Sequence, residues 1–163
     1  MTTENRSTSA EALETAAAIA PDVLKLEHQL CFAMYACSRE ITKLYQPLLK
    51  ALNLTYTQYL TMLVLWETDG IPVKELGARL YLDSGTLTPL LKKLEAAGLV
   101  TRTRDRADER SVLIGLTPNG AALRQQGACV PEQALQQSTL PPDKLQQLYQ
   151  LSRELLHDLK QEG

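Results

Sequence analysis

The sequence lacks the groupings that make metal centres. Its three cysteines (Cys31, Cys37, Cys129) and two histidines (His28, His157) form no C-x-x-C and no Cys/His cluster. That spacing offers no zinc site, and no cofactor is expected. The two histidines are isolated and read as surface or hydrogen-bonded side chains. Few, scattered cysteines suit a reducing cytoplasm, where any disulfide is transient. No apolar run approaches the roughly 20 residues of a spanning helix. No basic-then-apolar leader opens the chain, so a cytoplasmic protein with no membrane partner is expected. Internal repeats and low-complexity tracts are absent too. So is any excess of positive charge: 17 Lys and Arg against 19 Asp and Glu leave a net −2. Taken alone, that balance weighs weakly against a nucleic-acid partner.

The distribution of charge points the other way. Residues 84–106 hold five Lys/Arg against Glu95 and Asp105, whereas residues 1–29 hold five acids against Arg6 and Lys25. The basic stretch also carries the clearest pattern in the chain. Leu87, Leu90, Leu91 and Leu94 recur at helical spacing and make one apolar stripe. The other face carries Ser84, Thr86, Thr88, Pro89, Lys92 and Lys93. Small, hydroxylated and basic side chains suit a helix lying in a DNA major groove, with phosphates and base edges in reach. An ordinary surface helix fits the same residues.

The flanks decide between the two. Upstream, Val73, Leu76, Gly77 and Leu80 are the inward positions of a two-turn helix, a few residues before the next, as in a helix-turn-helix. Downstream, Gly98 supplies a left-handed stop. Two β-like runs follow, Val100 to Arg104 and Ser111 to Leu116, with Val112, Ile114 and Leu116 alternating as in a half-buried strand. Asp105 to Arg110 is the polar hairpin tip between them. This order is a winged helix, whose Arg102, Arg104, Arg106 and Arg110 can track phosphates or enter a minor groove.

A single domain is expected at this length, long enough for a real core. Residues 1–18 read as a flexible extension and residues 19–163 as the domain, with the winged helix at about 54–117. A long helix is expected from about Pro21 to Leu49, frayed or kinked by Pro47. Its inward stripe is Leu26, Leu30, Ala33, Cys37, Ile41, Leu44 and Leu48, which makes Cys37 a small core hydrophobe. Thr55 or Thr57 caps a helix to Glu67, and Asp69-Gly70 is a turn. Thr117 caps a helix to about Gln137, and Pro141-Pro142 opens a last one to about Leu159. Leu145, Leu148, Ser152, Leu155 and Leu159, with Leu151 and Leu156, make its seam. The helices at about 20–50 and 118–160 are longer than a lone winged helix needs. They read as a dimerisation layer, because two-fold readers of palindromic double-stranded DNA place one protomer on each half-site.

The element order resembles the MarR family. The wing matches its Asp-x-x-Asp-x-Arg…Leu-Thr pattern as Asp105, Asp108, Arg110, Leu116 and Thr117. Three segments look like the organic hydroperoxide resistance repressors within that family: Gln29 to Tyr35 (QLCFAMY), Leu54 to Leu60 (LTYTQYL), and Lys74 to Leu76 with Leu80 to Lys93 (LYLDSGTLTPLLKK). The resemblance covers roughly residues 24–120. It implies a mainly α fold with a small β wing and a homodimer that represses transcription until an organic hydroperoxide oxidises it.

The resemblance also assigns residues. The family's sensor cysteine matches Cys31, whose thiolate a peroxide takes to sulfenic acid. Only His28, three residues back, offers a cation within one turn. Tyr35 lies four residues on, and the family's two tyrosines from the other protomer match Tyr45 and Tyr56. A phenol O–H aimed at sulfur favours its charged form; half-buried packing is the other reading of these rings. Some members carry a second cysteine in the first C-terminal helix that closes a disulfide with the sensor of the other chain. Cys129 is at that place, either as this partner or as an inert buried thiol. Two other classes use the same residues. One is a MarR-type regulator released by a small aromatic ligand. The other is a thiol peroxidase, against which stand the missing arginine beside Cys31 and the presence of a wing.

Overall fold

The computed structural model describes residues 24–108 and 110–161. The extension expected over residues 1–18 lies outside them. The chain divides into two compact units, with the cut between Lys43 and Leu44, inside the first long helix.

The first unit holds a 3-10 turn, Leu26–His28, and the start of α1, Leu30–Lys50. The helix therefore begins later than Pro21. Lys25 (ψ 131°) and Gln29 (ψ 115°) are both extended, so no helical hydrogen-bond ladder passes through them. The stripe read as inward is not covered in this unit. Leu26, Leu30, Ala33, Cys37 and Ile41 are all exposed. Cys37 is thus not a core residue among the described residues, because no described element of its own unit lies over that face of α1. Pro47 is accommodated inside the helix, which continues to Lys50.

The second unit contains the core. Helix α2, Tyr56–Glu67, opens with a capping box in which Thr55 and Gln58 satisfy each other's amides. Gly70, at φ +71°, turns the chain into β1, Ile71–Pro72, and then α3, Val73–Leu80, and α4, Ser84–Ala96. Leu76 and Gly77 are buried on α3, and Leu87, Leu90, Leu91 and Leu94 on α4, as the leucine spacing requires. A Cβ on Gly77 would lie 2.8 Å from the Leu82 carbonyl oxygen, which is how closely the turn approaches α3. Gly98, at φ +69°, ends this run.

Strands β2, Val100–Arg104, and β3, Val112–Leu116, form the wing. Strand β1 was not foreseen. It joins β3 antiparallel through Ile71 opposite Ile114, giving the sheet order β1-β3-β2. With a proline among its two residues, it carries no alternation that could have announced it.

The helix expected from Thr117 to Gln137 is in three pieces: α5, Pro118–Ala122; α6, Arg124–Gly127; and α7, Val130–Leu135. Two side chains from α2 enter at the breaks. Trp66 Nε1 donates to the Gly120 carbonyl at 2.9 Å, and the Tyr59 hydroxyl donates to the Gly127 carbonyl at 3.0 Å. Pro131 has no N–H to offer the Gly127 carbonyl, so Tyr59 takes that acceptor. Helix α8, Pro142–Gln161, closes the chain with no buried residue. Among the described residues, no helix is long and apolar enough to cross a membrane.

Candidate nucleic-acid interface and thiol site

Helix α4 is set by its cap. Asp83 accepts from the Thr86 amide at 2.9 Å and from the Thr86 hydroxyl at 2.9 Å. These hydrogen bonds, the amide first, hold its carboxyl below the usual carboxylate value. The Thr88 hydroxyl donates to the Ser84 carbonyl at 2.7 Å. Both threonine hydroxyls thus have their protons committed and present lone pairs outward. Ser84, Thr86, Thr88, Pro89, Lys92 and Lys93 are all exposed, on the face opposite the buried leucines. That is the arrangement an inserted helix needs: one face packed, the other small and polar.

The wing is pinned at its base and tied at its tip. Asp69 Oδ1 accepts from the Leu116 amide at 2.7 Å, and the Thr117 hydroxyl donates to the Gly98 carbonyl at 2.6 Å. At the tip, Asp105 accepts from the Ala107 amide and Asp108 from the Arg110 amide. The two aspartates of the wing pattern therefore build its turn. This leaves Arg104, Arg106 and Arg110 exposed, while Arg102 is half-buried.

The residues of the thiol set fall in the two units. In the first, Cys31 is a free, exposed thiol at the second position of α1. Tyr35 is exposed, and its hydroxyl accepts from Arg39 Nη1 at 3.0 Å, with the guanidinium also near the ring. In the second, Tyr45 and Tyr56 meet edge to face, ring centroids 5.1 Å apart. Burial pushes both phenols above their ordinary value, and the neighbouring phenol adds to this for Tyr45. Both therefore keep an O–H to donate at neutral pH. Tyr59 was missed as a member of this cluster. Its ring lies 6.3 Å from that of Tyr45, a proximity no local spacing announces.

Cys129 is free and exposed, so it is not a buried thiol of the single chain. It does not lie inside a helix either. It stands at the break between α6 and α7, directly before Val130, where Pro131 interrupts the hydrogen-bond ladder.

Known proteins are similar to this chain in sequence and in fold. A family model described as transcriptional regulator SarA/Rot matches residues 43–126. The organic hydroperoxide resistance transcriptional regulator of Bacillus subtilis is 52% identical over 142 residues, which cover 87% of this chain and 97% of that protein. Among solved structures, reduced AbfR bound to DNA is 37% identical with a TM-score of 0.68, covering 82% of this chain and 94% of that one. Disulfide-formed AbfR is 31% identical with a TM-score of 0.62, covering 96% and 99%. The apo form of MarR from E. coli is 26% identical with a TM-score of 0.64, covering 78% and 97%.

Proposed function

The chain belongs to the MarR family of transcriptional regulators, in the group of the organic hydroperoxide resistance regulators, and from that premise we propose a homodimeric repressor released from DNA when Cys31 is oxidised. The observation that carries the reading is Cys31 itself, an exposed thiol in the first turn of α1 in a chain whose α4 and wing present a basic, uncovered surface.

In the reduced dimer, each α4 enters the major groove of one half-site of a palindromic operator. Ser84, Thr86, Thr88, Pro89, Lys92 and Lys93 face the groove, and Arg104, Arg106 and Arg110 of the wing follow the backbone. The dimer layer is built from α1 and the C-terminal helices. Leu30 on α1, 65% exposed, and Leu151 on α8, 63% exposed, are among the apolar side chains with no cover in a single chain. An exposed apolar face of this kind marks a protein–protein surface.

The oxidant is an organic hydroperoxide. The Cys31 thiolate attacks one peroxide oxygen, the O–O bond breaks, and the alcohol leaves after taking a proton. The sulfur is left as sulfenic acid. Tyr35, with Tyr45 and Tyr56 of the second protomer, donates to the thiolate before reaction, and oxidation removes those hydrogen bonds. Cys129 of the other chain then attacks the sulfenic sulfur, expelling water and forming an S–S bond. Relief of repression follows from the changed spacing of the two α4 helices. A disulfide-formed and a DNA-bound reduced state have both been solved for AbfR, which supports this order of events.

The test is Cys31→Ser. It should bind operator DNA as the parent does and stay bound when organic hydroperoxide is added, while Cys37→Ser responds normally. Release of Cys31→Ser by peroxide would overturn the redox reading and favour release by a small aromatic ligand. Peroxide consumption should stop at one equivalent per sensor thiol without added reductant; catalytic turnover would favour a thiol peroxidase.

A further inference from the structure

Arg102 differs from the other wing arginines. It stands on β2 opposite Ile114, on the same face as Val100 and Arg104. Arg104 is exposed, but Arg102 is half-buried, with 29% of its side chain accessible. Its Nη1 lies 3.7 Å from Glu95 Oε2, near the C-terminal end of α4. Its Nε is buried with no hydrogen-bond partner. Among the described residues, this is the ion pair that joins α4 to the wing. Other ties, from Asp69 to Leu116 and from Thr117 to Gly98, lie at the base of the hairpin, and β1 holds β3 at Leu113 and Ile114.

From this geometry we infer that Arg102 is a positioning residue, which sets the wing against α4 through Glu95, and that it makes no phosphate contact of its own. A guanidinium held beside a carboxylate is less free to reach a phosphate than the exposed Arg104, Arg106 and Arg110. With β1 paired to β3 as far as Leu113, on the side away from β2, the β2 edge of the hairpin can still pivot about that strand. A charged tie at the middle of β2 limits that pivot, and with it the distance between the groove-reading helix and the wing arginines. Glu95 then has a purpose that simple electrostatics denies it. A carboxylate beside DNA repels phosphate, so an unpaired Glu95 would weaken binding.

The inference rests on the DNA-binding reading above, and its test separates the two. Full-length parent, Glu95→Gln, Arg102→Gln, Arg102→Lys, the double Gln variant and Arg104→Gln are titrated with a labelled mixed-sequence DNA duplex over a range of salt. Arg104→Gln should lower the salt slope by about one, because a lost phosphate contact releases about one counterion fewer. Arg102→Gln should leave the slope unchanged. It and Glu95→Gln should each weaken binding about two- to five-fold, the range an exposed-to-half-buried ion pair can supply. The double variant should be no worse than either single one, and Arg102→Lys should recover part of the loss. In protein without DNA, the amides of β2 should exchange faster in both single variants. Tighter binding by Glu95→Gln, a slope lowered by about one in Arg102→Gln, or unchanged exchange would each overturn the inference. Loss of DNA binding in the parent would instead overturn the functional reading, and exchange would still decide the tie.

Discussion

The Tyr59 hydroxyl donates to the Gly127 carbonyl at 3.0 Å, and the same glycine lies under the Trp66 ring, where a Cβ would stand 2.5 Å from Cη2. One residue of the C-terminal segment is thus gripped by two aromatic side chains of α2. Trp66 and Tyr59 also contact each other, ring centroids 6.1 Å apart. The grip joins the winged helix to the segment that leads to α8.

This makes Gly127→Ala a stability variant. The added methyl meets a ring rather than a flexible chain end, and overpacking of this kind costs about 1–3 kcal/mol. Thermal melting should show a lowered midpoint. Ala121→Gly, at an exposed position of α5, should cost less, about 1 kcal/mol, from backbone entropy alone.

The burial of Tyr59 predicts a response to alkali. Burial first, then the neighbouring phenols of Tyr45 and Tyr56, pushes the Tyr59 phenol up to about 12 from an ordinary value of 10.0. The folded state therefore holds its proton over a range in which the unfolded chain releases it. Its contribution to stability is complete below pH 10 and is lost as pH rises toward 12. Denaturant midpoints of the parent should fall more steeply with pH in that window than those of Tyr59→Phe. The difference should be at most about 1.4 kcal/mol per pH unit. Parallel curves would place the pH response elsewhere.

For the DNA surface, Lys92→Ala and Arg110→Ala should each weaken binding and flatten its salt dependence, with each lost phosphate contact releasing about one counterion fewer. A fluorescence anisotropy titration at several salt concentrations reads both effects. Unchanged slopes in both variants would put the DNA on another face.

For the second thiol, peroxide-treated protein should run as a covalent dimer on a non-reducing gel. Cys129→Ser should abolish that band while Cys31 remains oxidisable, and sulfinic acid should form more readily because nothing traps the sulfenic form. A disulfide needs the two Cα atoms within about 7 Å, so closing it constrains the protomers. If the parent releases DNA without the covalent band, sensing needs only Cys31.

Much of the winged helix was legible in the sequence because its signals are local. Four leucines at helical spacing decide which face of α4 is buried. Thr55 and Thr117 cap helices within three residues of themselves. Gly70 and Gly98 turn the chain where a left-handed residue is needed. For the same reason, the residues on the exposed face of α4 could be named before any fold was known.

What failed to be legible depends on distant partners. Residues 118–135 carry helical signals and are broken; Pro131 is a local breaker, but the donors that take up the freed carbonyls come from Tyr59 and Trp66, 68 and 54 residues away. The stripe through Cys37 has core periodicity, yet it is half-buried only at Leu44 and Leu48 and exposed from Leu26 to Ile41, because periodicity specifies a face and not what covers it. Arg102 and Arg104 are two residues apart on one face of β2, and it is the half-buried Arg102 that Glu95 approaches. The sequence by itself determined which segments form helices, caps and turns, since those energies are settled within a few residues. Only the tertiary structure decided which carbonyls, charges and apolar faces find a partner, since that requires chain segments far apart in sequence to meet.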